Sequence, residues 1–295
     1  MPEHRSVLMI PNTVSYCRKG RNVAEHALSL LSVSSLFIGF VGFFRTYIAS
    51  LLLGMDPSIS ACTVMFLATF SIYSLDSIVD MDKDSTNMPE RKKFLSGRKR
   101  LFLFCSLMAY LLACLILLQH RPFALPIIFI PFAANAFYAT KLPLLNFRLK
   151  DIPVVKNFVV AVAWGLTCTL LPAAYMINPP DMKALGIASY LMLVMTFIAA
   201  VLYDVRDVEG DMETGVRTIP VILGARKTTA ILLVLNSMFL PLLALVEGEI
   251  QLLVAGLFLY GYLYIPYFRM RRKPIILDLF VDGKCIFACL PFILS

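Results

Sequence analysis

The sequence predicts an all-α fold, a polytopic membrane bundle of about nine transmembrane helices. Of its 295 residues, 59% are hydrophobic and only 16% are charged, and the mean hydropathy is +0.78. Apolar segments of about 18 residues or more recur along the chain, and each is long enough to cross the hydrocarbon core of a bilayer as a helix. The period-2 alternation of a lipid-facing β-barrel is absent, so the spanning elements are predicted to be helices.

The predicted spans follow one another with short connections. In chain order they cover residues 27–54, 58–77, 101–119, 122–140, 153–175, 184–203, 228–246, 250–268 and 275–295. These connections leave no room for a second soluble domain. Residues 1–295 are therefore predicted to form a single transmembrane domain.

Basic residues fall unevenly on the two sides of this topology. If the N-terminus is cytoplasmic, the connections after the second, fourth, sixth and eighth spans carry the Lys and Arg clusters, and the opposite face receives only Arg121 and Lys183. This bias predicts an integral protein of the cell membrane. The net charge of +8 comes from juxtamembrane residues without interleaved aromatic residues, which favours membrane lipid and not nucleic acid as a partner.

Carboxylates are concentrated where the second span ends, in YSLDSIVDMDKDSTNMPERK at residues 73–92. Asp76, Asp80 and Asp84 are spaced i, i+4 and i+8, so they share one face of a helix, whereas Asp82 points elsewhere. The bland interpretation of one such aspartate is a solvated loop acid that balances nearby Lys and Arg. Three on one helical face indicate a shared task.

A second acidic set follows the sixth span, in YDVRDVEGDMETGVRTIPVILG. Asp204, Asp207 and Asp211 are spaced i, i+3 and i+7 and again share a helical face. Both sets lie at the predicted cytoplasmic ends of even-numbered helices, so they can meet across a bundle. Acids held near the bilayer usually serve a function, because burying them is costly.

Two facing sets of carboxylates without histidine or thiolate suit Mg²⁺, a hard cation that prefers oxygen ligands and is often shared with substrate phosphates. A diphosphate held by Mg²⁺ between the stripes would have its charge neutralised as its bond to carbon breaks. The apolar helices below would hold a long hydrocarbon. The predicted metal ligands are Asp76, Asp80, Asp84, Asp204, Asp207 and Asp211.

These motifs resemble those of the UbiA superfamily of intramembrane prenyltransferases. In DSIVDMDKDSTNMPER, Asp80 and Asp84 align with the later aspartates of the superfamily's first motif, NDxxDxxxD, and Asp76 stands where an asparagine is common. The second motif, DxxDxxxD, is matched by DVRDVEGD. The stretches YATKLPLLNFRLKDIPVVKNFVVAVAWG and DLFVDGKCIFA also resemble parts of the superfamily.

The resemblance implies nine helices around a central cavity, Mg²⁺ as cofactor, and transfer of a prenyl group from a polyprenyl diphosphate to a lipophilic acceptor. The catalytic residues would be Asp80 and Asp84 on one wall and Asp207 and Asp211 on the other, joined to the diphosphate through Mg²⁺. Loss of pyrophosphate would leave an allylic, cation-like carbon for the acceptor to attack. The sequence does not identify the base that takes the acceptor's proton.

Four residues are candidates for binding the substrate. The resemblance supports a phosphate role for Tyr138 and Lys141, although a lysine at a helix end also serves topology alone. Lys156 and Asn157 open the fifth span and can reach the same cavity.

Other conspicuous residues have plainer interpretations. Arg45 lies inside the first span, and snorkelling to the far interface explains it. Arg206 and Arg217 flank the second acidic stripe and are interpreted as balancing its charge. Trp164 is interpreted as a packing residue.

Two acceptor classes stay open at this point. The first, slightly favoured, is an aromatic head group, which gives a quinone-like electron carrier. The second is an isoprenyl glyceryl phosphate, as in ether-lipid synthesis of the digeranylgeranylglyceryl phosphate synthase type. A secondary transporter is the competing class, because paired intramembrane acids also mark ion pathways. Both acidic sets lie at span ends and no internal repeat is visible, which favours the enzyme.

Overall fold

The computed structural model describes residue 31 and the ranges 34–79, 89–139, 154–270 and 274–294. Within those ranges, the side chains of residues 89, 90, 135–139 and 214 are not described. The regular secondary structure of the described residues is entirely helical, as the hydropathy pattern predicts. The helices in chain order are α1 Leu36–Leu52, α2 Ile59–Val79, α3 Pro89–Ser96, α4 Lys99–His120, α5 Leu125–Ala139, α6 Val155–Ala173, α7 Met182–Thr214, α8 Ile219–Ser237, α9 Gly248–Tyr267, α10 Pro274–Leu277 and α11 Lys284–Leu294.

Each predicted span has a helical counterpart among the described residues. Six helical stretches are long and apolar enough to cross a bilayer, and three shorter apolar helices accompany them. The all-α membrane architecture is confirmed, whereas the count of nine spanning helices stays a prediction.

The helices pack as a closed circuit of neighbours. Helix α1 contacts α2, and each helix contacts the next in the order α2, α4, α5, α6, α7, α8, α9 and α11. Helix α11 contacts α1, which closes the circuit. Helix α1 also contacts α6 and α7, so it lies between the two halves of the circuit. Three polar residues of α1, Arg45, Thr46 and Ser50, are therefore buried against protein.

Small residues let α6 and α7 approach closely, and these two helices pack most extensively. A Cβ atom added at Gly165 on α6 would lie 3.0 Å from the Cα atom of Leu193 on α7. Close backbone approach at glycine is a usual basis of helix association in membranes, because lipid removes the hydrophobic drive between helices. This contact fixes the two helices that carry most of the site described below.

Helix α7 is longer than the apolar segment that predicts it. The predicted span ends at residue 203, but the helix continues without interruption to Thr214. Gly215 ends it in the left-handed conformation at φ 73°, and the Val216 N–H donates to the Asp211 carbonyl at 2.8 Å. The acidic motif is thus the last part of a membrane helix and not a loop.

The last predicted span, residues 275–295, is broken. Between α10 and α11 the chain forms a π-helical turn over Asp278–Asp282. The Gly283 N–H donates to the Asp278 carbonyl at 2.9 Å, a bond between residues five apart. π-Helical turns often occur at functional sites because they redirect the side chains that follow them.

Candidate active site

A central cavity of about 350 Å³ lies between α1, α2, α5, α6, α7 and the π-helical turn. Its polar lining includes residues from both predicted acidic motifs and from the broken last span. These polar and charged residues are Ser35, Arg45, Tyr73, Asp76, Ser77, Arg91, Lys156, Asn157, Thr196, Tyr203, Asp204, Arg206, Asp207, Asp278 and Asp282.

The apolar lining of the cavity comes mainly from α6, with contributions from α1, α2, α5 and α7. Ile72 on α2 and Val160, Ala163 and Trp164 on α6 contribute to it. The Trp164 ring stacks on Tyr73 with ring centroids 5.4 Å apart. Trp164 thus packs, as predicted, and it also forms part of the cavity wall. The cavity is therefore lined by both charged and apolar side chains.

The second acidic motif is carried by one continuous helix. Asp204 and Asp211 are seven residues apart on α7, which is about 10 Å along the axis and nearly the same direction around it. Asp207 lies between them, turned by about 60°. Asp204 and Asp207 both line the cavity. The continuous helix places the three residues as predicted, but Asp211 is not among the residues that line the cavity.

Asp204 is buried and held by two neighbours at the start of α6. The Lys156 ammonium donates to its Oδ1 atom at 3.2 Å, and the Asn157 amide donates to its Oδ2 atom at 2.8 Å. Only 3% of Asp204 is exposed, whereas 42% of the Lys156 side chain is exposed. Lys156 thus reaches from a buried carboxylate towards the open end of the cavity, as the sequence predicts for a residue at this position.

Asp207 is held by its neighbour in the chain. The guanidinium of Arg206 donates two parallel hydrogen bonds to the Asp207 carboxylate, both at 2.7 Å. The same guanidinium lies 5.0 Å above the Tyr203 ring. Arg206 does balance the charge of the stripe, as predicted, but it also lines the cavity and is mostly shielded from solvent. We refer to Lys156, Asp204, Arg206 and Asp207 as the mouth cluster.

The first acidic motif reaches the same cavity through Asp76. Helix α2 ends at Val79, and Asp76 lies half-buried in its last turn. Asp76, Asp204 and Asp207 line one cavity, so the predicted meeting of the two motifs is confirmed for these three residues. Asp80, Asp82 and Asp84 lie outside the described residues.

Among the described residues, no three His, Cys, Asp or Glu side chains form a group that could hold a metal ion by themselves. The available oxygen donors are carboxylates, which is the chemistry that Mg²⁺ prefers. Two further predicted ligands, Asp80 and Asp84, belong to the part of the chain without a description. The metal and catalytic assignments therefore stay predictions.

Of the other predicted substrate residues, one lines the cavity and two have no described side chain. Asn157 lines the cavity beside Lys156. Tyr138 lies in the last turn of α5 without a described side chain, and Lys141 lies outside the described residues. Arg217 is exposed beyond the end of α7 and is absent from the cavity lining.

The snorkelling interpretation of Arg45 is wrong. Only 8% of Arg45 is exposed, and its guanidinium lies 2.7 Å from Asp282 Oδ1 and 3.1 Å from Thr196 Oγ1. Three parts of the fold, α1, α7 and the π-helical turn, meet at this guanidinium. Arg45 stays in the interior because a buried carboxylate neutralises it there.

Sequence reasoning also missed the acids of the last span. The Tyr203 hydroxyl lies 2.7 Å from Asp282 Oδ2 and 2.9 Å from Asp278 Oδ1. It has one proton and so donates to one carboxylate at a time. We refer to Arg45, Thr196, Tyr203, Asp278 and Asp282 as the buried cluster. The available signal was the pair of acids four residues apart in DLFVD, inside an otherwise apolar segment.

Comparison with known proteins identifies related chains. A model of the UbiA prenyltransferase family matches residues 35–275. A digeranylgeranylglyceryl phosphate synthase from Thermococcus gammatolerans is 30% identical over 161 residues, which cover 52% of each chain. The synthase of the same name from Thermococcus kodakarensis is 26% identical over 222 residues, which cover 71% of this chain and 74% of that one.

A solved structure shares the fold. The structure of a UbiA homologue from Archaeoglobus fulgidus bound to GPP and Mg²⁺ covers 90% of this chain and 100% of its own, with a TM-score of 0.63 and 13% sequence identity. At that identity the similarity establishes the architecture alone. The family model matches most of the chain, including Asp76, the second acidic motif and helices α1, α2, α5, α6 and α7 that line the cavity. The chain therefore belongs to the UbiA prenyltransferase family.

Proposed function

We propose that this protein transfers a prenyl group from a polyprenyl diphosphate to an isoprenyl glyceryl phosphate within the membrane. The observation that carries the proposal is that Asp76 of the first motif and Asp204 and Asp207 of the second line one cavity with an apolar wall. Such a cavity suits a substrate with a polyanionic end and a hydrocarbon end. Family membership favours this enzyme over a transporter.

The names of the relatives change which acceptor is favoured. Both Thermococcus proteins described above carry the name digeranylgeranylglyceryl phosphate synthase. These names favour the glyceryl phosphate over the aromatic head group, which the sequence alone favours slightly. Their alignments cover only 52% and 74% of those relatives, so the acceptor is part of the proposal.

The carboxylates fit the cofactor in their chemistry. Asp76, Asp80 and Asp84 on one wall and Asp207 and Asp211 on the other would hold Mg²⁺, as the A. fulgidus homologue does with GPP. Bound there, the ion would neutralise charge on the departing diphosphate. The contacts of Asp204 support a different task, because its two oxygens already orient Lys156 and Asn157.

Basic residues at the cavity support the binding of two phosphate-bearing substrates. Lys156, Arg91 and Arg206 line the cavity, and Lys156 is the most exposed of the mouth cluster. We infer that Lys156, with Tyr138, Lys141 and Asn157, binds the donor diphosphate. Arg91 on α3 lines the same cavity and would bind the acceptor phosphate. The prenyl chain would lie along Ile72, Val160 and Trp164, which exclude water from the reacting carbon.

Radiolabelled geranylgeranyl diphosphate, offered with each acceptor in turn to the purified protein in detergent, tests the proposal. With Mg²⁺ present, we expect labelled ether product from an isoprenyl glyceryl phosphate and none from an aromatic acid. Adding a chelator should stop the reaction. Product from the aromatic acid alone would refute the choice of acceptor, and no release of pyrophosphate with any acceptor would refute the enzyme.

The sidedness of the site is a further part of the proposal. The distribution of Lys and Arg predicts that both acidic motifs face the cytoplasm of a cell membrane. A cysteine introduced as Thr86→Cys, beside the first motif, should then react with an impermeant reagent from the cytoplasmic side only. Labelling from the outside would contradict the predicted topology, because it would place the first motif on the outer face.

A further inference from the structure

The π-helical turn also borders a second cavity, which lies between α9 and α11 and has a volume of about 810 Å³. The turn contributes Leu279 and Phe280 to this cavity, whereas its acids, Asp278 and Asp282, line the central cavity. The walls on α9 and α11 are largely apolar and include Leu252, Leu257, Phe287 and Phe292. We refer to this second cavity as the lateral groove.

We propose that the lateral groove binds one anionic phospholipid of the surrounding bilayer. The lipid phosphate would lie at Lys284, the first residue of α11, and one hydrocarbon chain would lie between α9 and α11. This site is separate from the central cavity and takes no part in the proposed transfer of the prenyl group.

The groove opens towards the bilayer. Leu252 is 74% exposed, Phe287 is 61% exposed and Phe280 is 49% exposed, and all three line the groove. Among the described residues, none lines both the groove and the central cavity. A ligand therefore reaches the groove from the lipid side, which favours a molecule that is already part of the bilayer.

Lys284 gives this apolar groove a buried positive charge. Only 5% of the residue is exposed, and it lines the groove. Its ammonium donates to the Val281 carbonyl and lies 5.0 Å above the Tyr264 ring, but within the described part of the chain it forms no ion pair. The acid two residues earlier, Asp282, binds Arg45 instead. Since a charge in the bilayer is costly without a counter-charge, a phosphate oxygen in the groove would stabilise Lys284.

The depth of Lys284 suits a lipid headgroup. Tyr264, below its ammonium, lies three residues before the end of α9, which is about 4.5 Å along the axis. The exposed Arg269 follows that end, on the predicted cytoplasmic side. From Tyr260 to Glu249 the groove then follows α9 for about 16 Å. One leaflet of hydrocarbon is about 15 Å thick, so the groove has the length of a lipid chain.

The charges at the groove select the kind of lipid. Glu249, at the end of the groove away from Lys284, disfavours an anionic headgroup there. The donor diphosphate carries more negative charge than one ammonium neutralises. A phosphodiester such as that of phosphatidylglycerol carries one negative charge, which matches the single ammonium of Lys284. We therefore expect a bilayer phospholipid and not the donor to bind in the groove.

Native mass spectrometry of the purified protein, mixed in detergent with phosphatidylglycerol or phosphatidylcholine, tests the proposal. We expect the wild-type protein to retain one phosphatidylglycerol, with about fivefold preference over phosphatidylcholine, because one lysine near a membrane surface contributes about that factor. Lys284→Met should lose this preference, and Lys284→Arg should keep it. Lys99→Met provides the control, because it removes an exposed positive charge from the start of α4, outside the groove.

A second variant tests the groove itself and decides the matter if Lys284→Met does not fold. A Cβ atom added at Gly256, which lines the groove, would meet no atom within 4 Å. Gly256→Leu therefore fills the groove without displacing its walls and should lower retention of either lipid by about tenfold. Gly186→Leu is the matched control, since Gly186 on α7 has the same free space but lies outside the groove.

Several results would overturn the inference. These are equal retention of the two lipids by the wild-type protein, unchanged preference in folded Lys284→Met, and unchanged retention in folded Gly256→Leu. Displacement of phosphatidylglycerol by geranylgeranyl diphosphate or by inorganic phosphate would overturn the choice of ligand. Circular dichroism establishes which variants are folded. None of these measurements involves turnover, so their outcome is independent of the proposed function.

Discussion

The mouth cluster and the buried cluster both pair acids with bases at the same cavity, but their partners come from different distances along the chain. Arg206 pairs with its neighbour Asp207, and the side chains are 13% and 22% exposed. Arg45 pairs with Asp282, 237 residues away, and those side chains are 9% and 3% exposed. One pair is local and reaches solvent, whereas the other joins distant helices in the interior.

This difference separates charges that a ligand can engage from charges that hold the fold. The Arg206–Asp207 pair is mostly shielded from solvent but lines the cavity, so a ligand that enters the cavity can replace either partner. A metal ion can therefore take over the Asp207 carboxylate, and a diphosphate the Arg206 guanidinium, at small cost. A pair in the interior cannot lose one member without leaving the other charge buried. The mouth cluster thus carries charges that a ligand can engage, and the buried cluster carries charges that stabilise the fold.

Removing Arg45 should have the largest effect. Arg45→Met leaves the Asp282 carboxylate buried without its counter-ion, so the free energy of unfolding should fall by about 3–5 kcal/mol. Thermal melting followed by circular dichroism in detergent measures this loss. At the mouth, Arg206→Met should cost less stability than Arg45→Met, since the Asp207 side chain keeps 22% exposure to solvent and the Asp282 side chain only 3%.

A double variant shows whether the loss comes from the uncompensated charge. Arg45→Met combined with Asp282→Leu removes both charges and should regain most of the stability that Arg45→Met loses. Equal stability losses from Arg45→Met and Arg206→Met would erase the distinction between the two clusters.

Substitutions of the proposed metal ligands should affect activity and not stability. Asp207→Asn and Asp80→Asn each remove one charge from a bridge that uses both walls, so turnover should fall by about 100-fold or more while the protein stays folded and inserted. The Mg²⁺ concentration needed for half-maximal activity should rise. Near-normal activity with an unchanged metal requirement would refute the role of either residue.

How far the sequence predicts this molecule differs between the two clusters. Three of the four residues of the mouth cluster, Asp204, Arg206 and Asp207, are close in sequence, and a period of three to four places Asp204 and Asp207 on one helical face. Lys156 joins them from α6. Hydropathy alone ended the sixth span at residue 203, because it cannot tell an acidic end of a helix from a loop. The acidic periodicity was the better guide, since α7 continues to Thr214.

The buried cluster depends on contacts that no local pattern reveals. Arg45 and Asp282 are single charges in separate apolar segments, so each alone resembles a residue that reaches for an interface. Only the packing of α1 against α7 and α11 shows that they meet. The break in the last span was equally hidden, because DLFVDG has no proline and its glycine follows the π-helical turn.

Position 76 tests the first motif, because this chain has an aspartate where the family commonly has an asparagine. Asp76→Asn should keep activity within about tenfold, because an amide oxygen can still bind metal or water, whereas Asp76→Leu should lose about 10- to 100-fold. Turnover at saturating Mg²⁺ distinguishes the two variants.

Asp82 provides the matched control for this position. The sequence spacing predicts that Asp82 lies about 200° from Asp80 around a helix, so we expect Asp82→Leu to change turnover little. An equally mild result for Asp76→Leu would reduce the first motif to Asp80 and Asp84.

Lys156 should show the smallest effect, and it tests whether a mouth residue can change its partner. In the structure its ammonium binds Asp204, yet 42% of its side chain is exposed and it lines the cavity. If it also binds the donor diphosphate, Lys156→Met should raise the KM for geranylgeranyl diphosphate by about tenfold, with a smaller change in kcat. Asp204 would remain held by Asn157, so melting should shift little. Lys183→Met, at an exposed lysine on the opposite face, should leave KM unchanged. A fall in kcat at constant KM would instead mean that Lys156 acts only by orienting Asp204.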